Sequence, residues 1–366
     1  MSDTATLPAA SAPPAETPVR DTASMGWWLL GCAAMVFVMV VIGGITRVTH
    51  SGLSMVEWKP LIGILPPLSD IEWQRVFGLY QQSPEYRQIN QGMSLAEFQG
   101  IFWWEWFHRL FGHLIGLAFA LPFLWFLIRR RVSRPLLPRL IGLFLLGGLQ
   151  GVVGWLMVAS GLVDRPAVSH YRLAAHLATA GLIYGCLIWE ALDLLRPQVA
   201  SGFSRAAPRL RTHLCIALGL SVMTLIWGAL VAGLHAGLIY NTFPLMNGSV
   251  LPEDAWFLVP AWINVFENAS LVQFCHRWLA ITTAVVTVAY WLRVRGVPDT
   301  GGLAPSTRRI AALLAGMVLI QMSLGISTLL LAVPLLLAVT HQAGAFVVVA
   351  LIIWGVHDLR ARPASR

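Results

Sequence analysis

Histidine recurs at matching places in two weakly similar parts of this chain. Glu105-Trp106-Phe107-His108-Arg109 has a counterpart in Gln273-Phe274-Cys275-His276-Arg277, 168 positions on (276 against 108). Ala175-His176-Leu177-Ala178 is matched by Thr340-His341-Gln342-Ala343 at an offset of 165 (341 against 176), and Gln150 with Gly154 by Gln321 with Gly325 at 171 (321 against 150). An imidazole can give one ring nitrogen to a metal while the other donates a hydrogen bond, and two on facing helices can fill both axial positions of a porphyrin iron. Repetition of one half-site makes His108 with His176, and His276 with His341, the working pairs. Spacing alone leaves two hemes, other metals or a proton path open. Zinc is disfavoured, because the histidines divide between halves and lack a thiolate cluster. A lone histidine near a membrane interface would be read as satisfying a local hydrogen bond; four at repeated positions weaken that explanation.

The residues around the histidines differ between the halves. Glu105 lies three residues before His108, on about the same helical face, where the second copy has Gln273. A carboxylate beside an oxidised centre can steer water or move a proton; an ordinary polar helix residue is the competing reading. Arg109 and Arg277 follow their histidines by one residue, about 100° around the helix. Together with Arg47 they are candidates for contacts to propionates at a porphyrin rim, or for interfacial snorkelling. Small residues such as Gly43, Gly44, Gly147, Gly148, Gly151 and Gly154 permit close helix approach, with packing as their default role. His113, His50, His170, His213 and His357 rank below the repeated four, and local polar contacts are the expectation for them.

The elements that must hold these residues are membrane helices. With 57% apolar and 11% charged residues, the composition is far from that of a soluble domain. Apolar stretches long enough to cross a bilayer recur at about 27–46, 108–128, 139–159, 173–192, 213–234, 272–292, 310–331 and 335–356. Only helices satisfy their own backbone in hydrocarbon. The fold class expected is therefore all-α, with eight transmembrane helices in two related four-helix bundles: residues 27–192 and 213–357, joined by a cytoplasmic linker at 193–212. Residues 1–26, rich in Ala and Pro, read as a disordered cytoplasmic tail, and the first span as a retained anchor rather than a signal peptide. Ala332-Val333-Pro334 is expected to turn a tight hairpin between the last two spans. Arginines crowd the connections after the second, fourth and sixth spans, whereas none lies between His235 and Val272. The positive-inside tendency then places both termini in the cytoplasm and the histidines toward the external side. The formal charge of +8 is an orientation signal, and no nucleic-acid partner is expected. Cys32, Cys186, Cys215 and Cys275 offer neither a CxxC centre nor a zinc site and read as small packing residues.

Longer motifs add a resemblance. GGITRVTHSGLSMVEWKP (Gly43–Pro60), EWFHRLFGH (Glu105–His113), HLATAG (His176–Gly181), AGLIYNTFPLM (Ala236–Met246), CHR (Cys275–Arg277) and HQAGA (His341–Ala345) together resemble the heme A synthase family, in its proteobacterial and mitochondrial-like branch. The similarity runs from Gly26 to about Asp358. It implies related four-helix halves and oxidation of the C8 methyl group of heme O to the formyl group of heme A. It also implies Glu105 as the catalytic carboxylate, His108 and His176 on the substrate-heme side, and His276 and His341 as iron ligands of a cofactor heme b. The partners it implies are membrane lipid, a heme O synthase or other supplier of heme O, and an electron partner that the chain does not encode; a homo-oligomer and a bacterial inner membrane complete the expectation. No cysteine pair stands in the first external loop, which argues against a loop-disulfide relay. The main alternative is a heme-b electron-transfer module that does not oxidise heme O, and a transporter ranks lower.

Overall fold

The computed structural model describes residues 19–57, 65–162, 168–196 and 204–360. Eight of its helices are long and apolar enough to cross a membrane: α1 (Val19–Val48), α4 (Leu95–Ile128), α5 (Leu137–Gly161), α6 (His170–Leu195), α7 (Ala207–Gly233), α9 (Ala269–Arg295), α10 (Pro305–Leu330) and α11 (Leu335–Asp358). Shorter helices α2 (Asp70–Tyr80), α3 (Pro84–Gln88) and α8 (Asn264–Glu267) lie in the connections. The protein is an integral membrane protein by this architecture.

Two sequence boundaries move. α1 starts at Val19, inside the segment read as a tail; Met25 and Leu29 are buried in the core and draw the helix outward past the apolar run. The rest of that reading, residues 1–18, lies outside the described residues, as do 197–203 of the linker and the end of the Gly43–Pro60 motif. α4 starts thirteen residues before the span read at 108 (Leu95 against His108). A capping box fixes this start: the Ser94 backbone N–H donates to Glu97 Oε2 at 2.8 Å while the Glu97 N–H donates to Ser94 Oγ at 3.3 Å. At ~1.5 Å per residue its 34 residues exceed a hydrocarbon core of about 30 Å. The surplus carries Phe98 and Phe102, which pack with Trp73, Phe77 and Tyr80 of α2 into an aromatic cluster outside the spans. The connection between α1 and α4 is thereby folded onto the end of the helix that carries Glu105 and His108.

Packing closes two cycles. α1 contacts α4 and α6, and α5 contacts α4 and α6; α7 contacts α9 and α11, and α10 contacts α9 and α11. The cycles meet where α6 lies against α7, and α11 against α1 and α6. One bond across that seam runs from Gln342 Nε2 to the Val40 carbonyl at 2.7 Å. At the end of the bundle away from the histidines, His357 lies 3.0 Å from Asp193, Arg360 also pairs with Asp193, and Arg196 lies 3.3 Å from Asp358. Peripheral α4 and α5 leave Leu121, Leu124 and Leu149 exposed away from the cavity, as a lipid-facing surface requires. The hairpin expected at Ala332-Val333-Pro334 is present, with Ala332 and Val333 both left-handed at φ 57 and 62°. A β-branched residue there is strained, and the turn is held by the Val333 N–H donating to the Thr328 carbonyl at 2.8 Å.

Candidate functional site: two histidine pairs in one cavity

A single cavity of about 1570 Å³ is lined by all four repeated histidines, with Glu105, Arg109, Arg277 and Arg47. Pockets for one small ligand hold roughly 300–1,000 Å³, so this compartment is of a size for more than one. The residues expected from the sequence to form two sites line one enclosure.

In the second half the His276 and His341 rings have centroids 6.4 Å apart and planes at 89°. A metal–imidazole bond of about 2 Å, with about 1.1 Å more from nitrogen to ring centre, places two imidazoles on opposite sides of one metal with centroids ~6.2 Å apart. The observed spacing fits that arrangement. His276 Nδ1 lies 3.0 Å from the Thr224 carbonyl; as its donor it leaves Nε2 for a metal. The Gln321 amide holds the His341 carbonyl at 2.8 Å and approaches His341 Nδ1 at 3.1 Å. In the first half Gln150 makes the equivalent bond to the His176 carbonyl at 3.1 Å. His108 Nδ1 and His176 Nδ1 are both buried without a hydrogen-bond partner, a cost a bound group would relieve. Among the described residues no three His, Cys, Asp or Glu gather as a metal cage. A donor set of two imidazoles per site fits an iron whose other four ligands come from a porphyrin.

Each histidine rests on a glycine of the preceding membrane helix. An added Cβ would lie 3.2 Å from His108 at Gly43, 2.9 Å from His176 at Gly154, 3.0 Å from His276 at Gly228 and 2.7 Å from His341 at Gly325. The pattern runs through both halves, and two of the glycines read above as packing residues, Gly43 and Gly154, prove to be the floor beneath imidazoles. Gly325→Ala is expected to cost about 1–3 kcal/mol of heme binding through overpacking. Heme retained per folded protein would show it. Gly316→Ala on the same helix, where an added Cβ meets nothing within 4 Å, should be silent; equal heme content in both variants would refute the cradle.

Glu105 is buried, at 4% exposure, and its Oε1 accepts from Arg109 Nε at 2.7 Å. Arg109 also donates to the carbonyls of Met55 at 2.9 Å and Glu57 at 3.3 Å. The second half repeats the clamp with an amide: Gln273 Oε1 accepts from Arg277 at 3.1 Å, and Arg277 donates to the carbonyls of Thr242 at 2.7 Å and Tyr240 at 2.6 Å. Both arginines thus line the cavity with their guanidinium groups committed to carbonyls of the connecting loops. Arg47 crosses the seam, donating to the Ala232 carbonyl at 2.9 Å and lying 3.2 Å from His235 Nε2, while its buried Nε has no partner. His50 and His235, both left-handed, stack beside it with centroids 5.9 Å apart. Desolvation and the Arg47 charge push both imidazoles below their ordinary pKa. The remaining histidines make local contacts: His113 Nδ1 lies 2.7 Å from the Arg109 carbonyl, and His213 Nε2 lies 2.9 Å from that of Val286.

Two contributors escaped the sequence reading. Gly228 could have been found from a further repeat offset of 185, which relates Gly43 to Gly228 and His50 to His235 alike (228 against 43, 235 against 50). Glu85, on α3, lines the cavity with Glu105 and is only 3% exposed; its place in a polar loop gave no signal of burial. Desolvation pushes its carboxyl up to about 7, against the pull of the Tyr80 hydroxyl and the Arg47 charge. The stability linked to a raised carboxyl is present below its unfolded pKa and is lost as pH rises toward 7.

These features define an eight-span helical membrane protein with four repeated histidines lining one cavity. Residues 26–353 match the Cytochrome oxidase assembly protein family, and the chain belongs to it. Similar proteins include the Heme A synthase of Rhodospirillum centenum, 52% identical over 96% of this chain and 94% of the relative. That of Nitrosospira multiformis is 52% identical over 91% and 92%, and that of Paramagnetospirillum magneticum 51% over 92% and 93%.

Proposed function

We propose that the protein is a heme A synthase, oxidising the C8 methyl group of heme O to a formyl group in successive steps. The observation that carries this reading is the asymmetry between matched half-sites: the same arginine clamp holds a carboxylate, Glu105, beside one histidine pair and an amide, Gln273, beside the other. One half then has a group that can move protons and the other does not. In this reading His108 and His176 hold the substrate heme, and His276 and His341 hold a heme b that passes electrons to a separate partner. Bound heme iron supplies the redox chemistry. The chain orients the macrocycles on glycine floors, keeps Glu105 out of bulk water against Arg109, and ties both outer loops over the sites through Arg109 and Arg277. Heme O arrives from a heme O synthase or other supplier. Positive-inside charge supports cytoplasmic termini and external heme sites in a bacterial inner membrane.

The test supplies heme O and an electron partner to the purified protein, extracts the heme and analyses its mass. Heme A is the expected product. Reversible reduction of bound heme without formyl formation would replace this reading with an electron-transfer module.

A further inference from the structure

We propose that Glu85 is a second proton-carrying carboxylate of this site, taking the proton that Glu105 gives up and releasing it to solvent at the cavity rim. This rests on the oxidation reading above, since removing hydrogen from a methyl group liberates protons in a buried place. Glu85 sits on a five-residue helix in the outer connection, yet it is nearly inaccessible and lines the same cavity as Glu105. The groups that act on it come from every side: the Tyr80 hydroxyl on α2 donates to its Oε2 at 3.2 Å, Arg47 on α1 attracts its charge, and Glu105 on α4 opposes it. Asn90 donates to the same Tyr80 hydroxyl at 2.7 Å and holds it in place. Burial and Glu105 disfavour the anion while Arg47 and Tyr80 favour it. The balance leaves the carboxyl titrating near neutrality, where a relay group exchanges readily in both directions.

The transfer moves no electrons. An O–H bond breaks at the Glu105 carboxyl and one forms at a Glu85 carboxylate oxygen, after which the proton passes to water at the rim. His50 and His235 stand exposed there beside Arg47.

The experiment uses the full chain in detergent, as wild type, Glu85→Gln, Glu85→Asp and Tyr80→Phe. Infrared difference spectra without added heme O read the protonated carboxyl directly. A carboxylic-acid band that titrates near pH 7 in wild type and disappears in Glu85→Gln is expected; the same band unchanged in Glu85→Gln overturns the assignment. Single-turnover oxidation of heme O is expected to slow about 10-fold in Glu85→Gln and to lose its inflection near pH 7, with partial recovery in Glu85→Asp and a displaced inflection in Tyr80→Phe. A uniform loss of rate with the wild-type pH profile kept would mark Glu85 as structural and sink the relay. If wild type itself forms no heme A, the oxidation reading fails and the proposed transfer with it, whereas an intact wild-type reaction that ignores Glu85→Gln defeats this inference alone.

Discussion

Glu105→Gln is expected to lower the rate of heme O oxidation by about 10²- to 10⁴-fold, the usual worth of a positioned acid or base, while leaving heme at the His276–His341 site at wild-type occupancy. The protein contains its own precedent for this substitution. Gln273 occupies the corresponding position and accepts from Arg277 at 3.1 Å, as Glu105 does from Arg109 at 2.7 Å. An amide therefore preserves the clamp on the loop and removes only the ionisable group. Single-turnover oxidation, followed by mass analysis of hydroxylated and formyl products, separates the outcomes. An intermediate that accumulates places Glu105 after the first oxidation, and loss of substrate binding alone assigns it to positioning. Wild-type rates for both steps in folded Glu105→Gln would remove the carboxylate from the chemistry. Gln273→Glu is expected to create no second oxidising site.

His276→Ala and His341→Ala are each expected to abolish the low-spin heme spectrum of the second site, with occupancy there falling to background. Both rings are held from behind, His276 by the Thr224 carbonyl and His341 by Gln321 and the floor at Gly325. Their ring centroids lie 6.4 Å apart. His213→Ala is the matched control, because His213 is engaged far from the cavity by the Val286 carbonyl and Arg293. Substrate heme must be quantified separately, since His108 and His176, its proposed ligands, line the same compartment. A normal low-spin spectrum in both folded variants would reject the pair as axial ligands.

The membrane spans were legible because hydrocarbon leaves the backbone one solution, so that apolar length alone betrays each helix. Their starts were not. α4 begins in Ser94-Leu95-Ala96-Glu97, a capping signature within a polar stretch, and hydropathy is blind to it. The four histidines were visible through repetition, and the Glu105–Gln273 difference through their register. What Arg109 and Arg277 grip was hidden, because their partners are main-chain carbonyls 35 to 54 positions away and a carbonyl carries no sequence signature. Glu85 was invisible for a related reason: α2 and α3 are brief, and nothing in their sequence marks a carboxylate that is 3% exposed and lines the cavity.

The glycine floors bear on how fast an electron can come and go. A side chain beneath an imidazole would have torsions of its own and could rearrange when the charge on a ligated metal changed. Gly43, Gly154, Gly228 and Gly325 instead present helical backbone, locked by its own hydrogen bonds. A ring seated on such a surface has little room to tilt or slide between oxidation states. In the proposed heme A synthase, ligands seated this way would contribute little reorganisation energy, and the redox rate would be governed by driving force and distance.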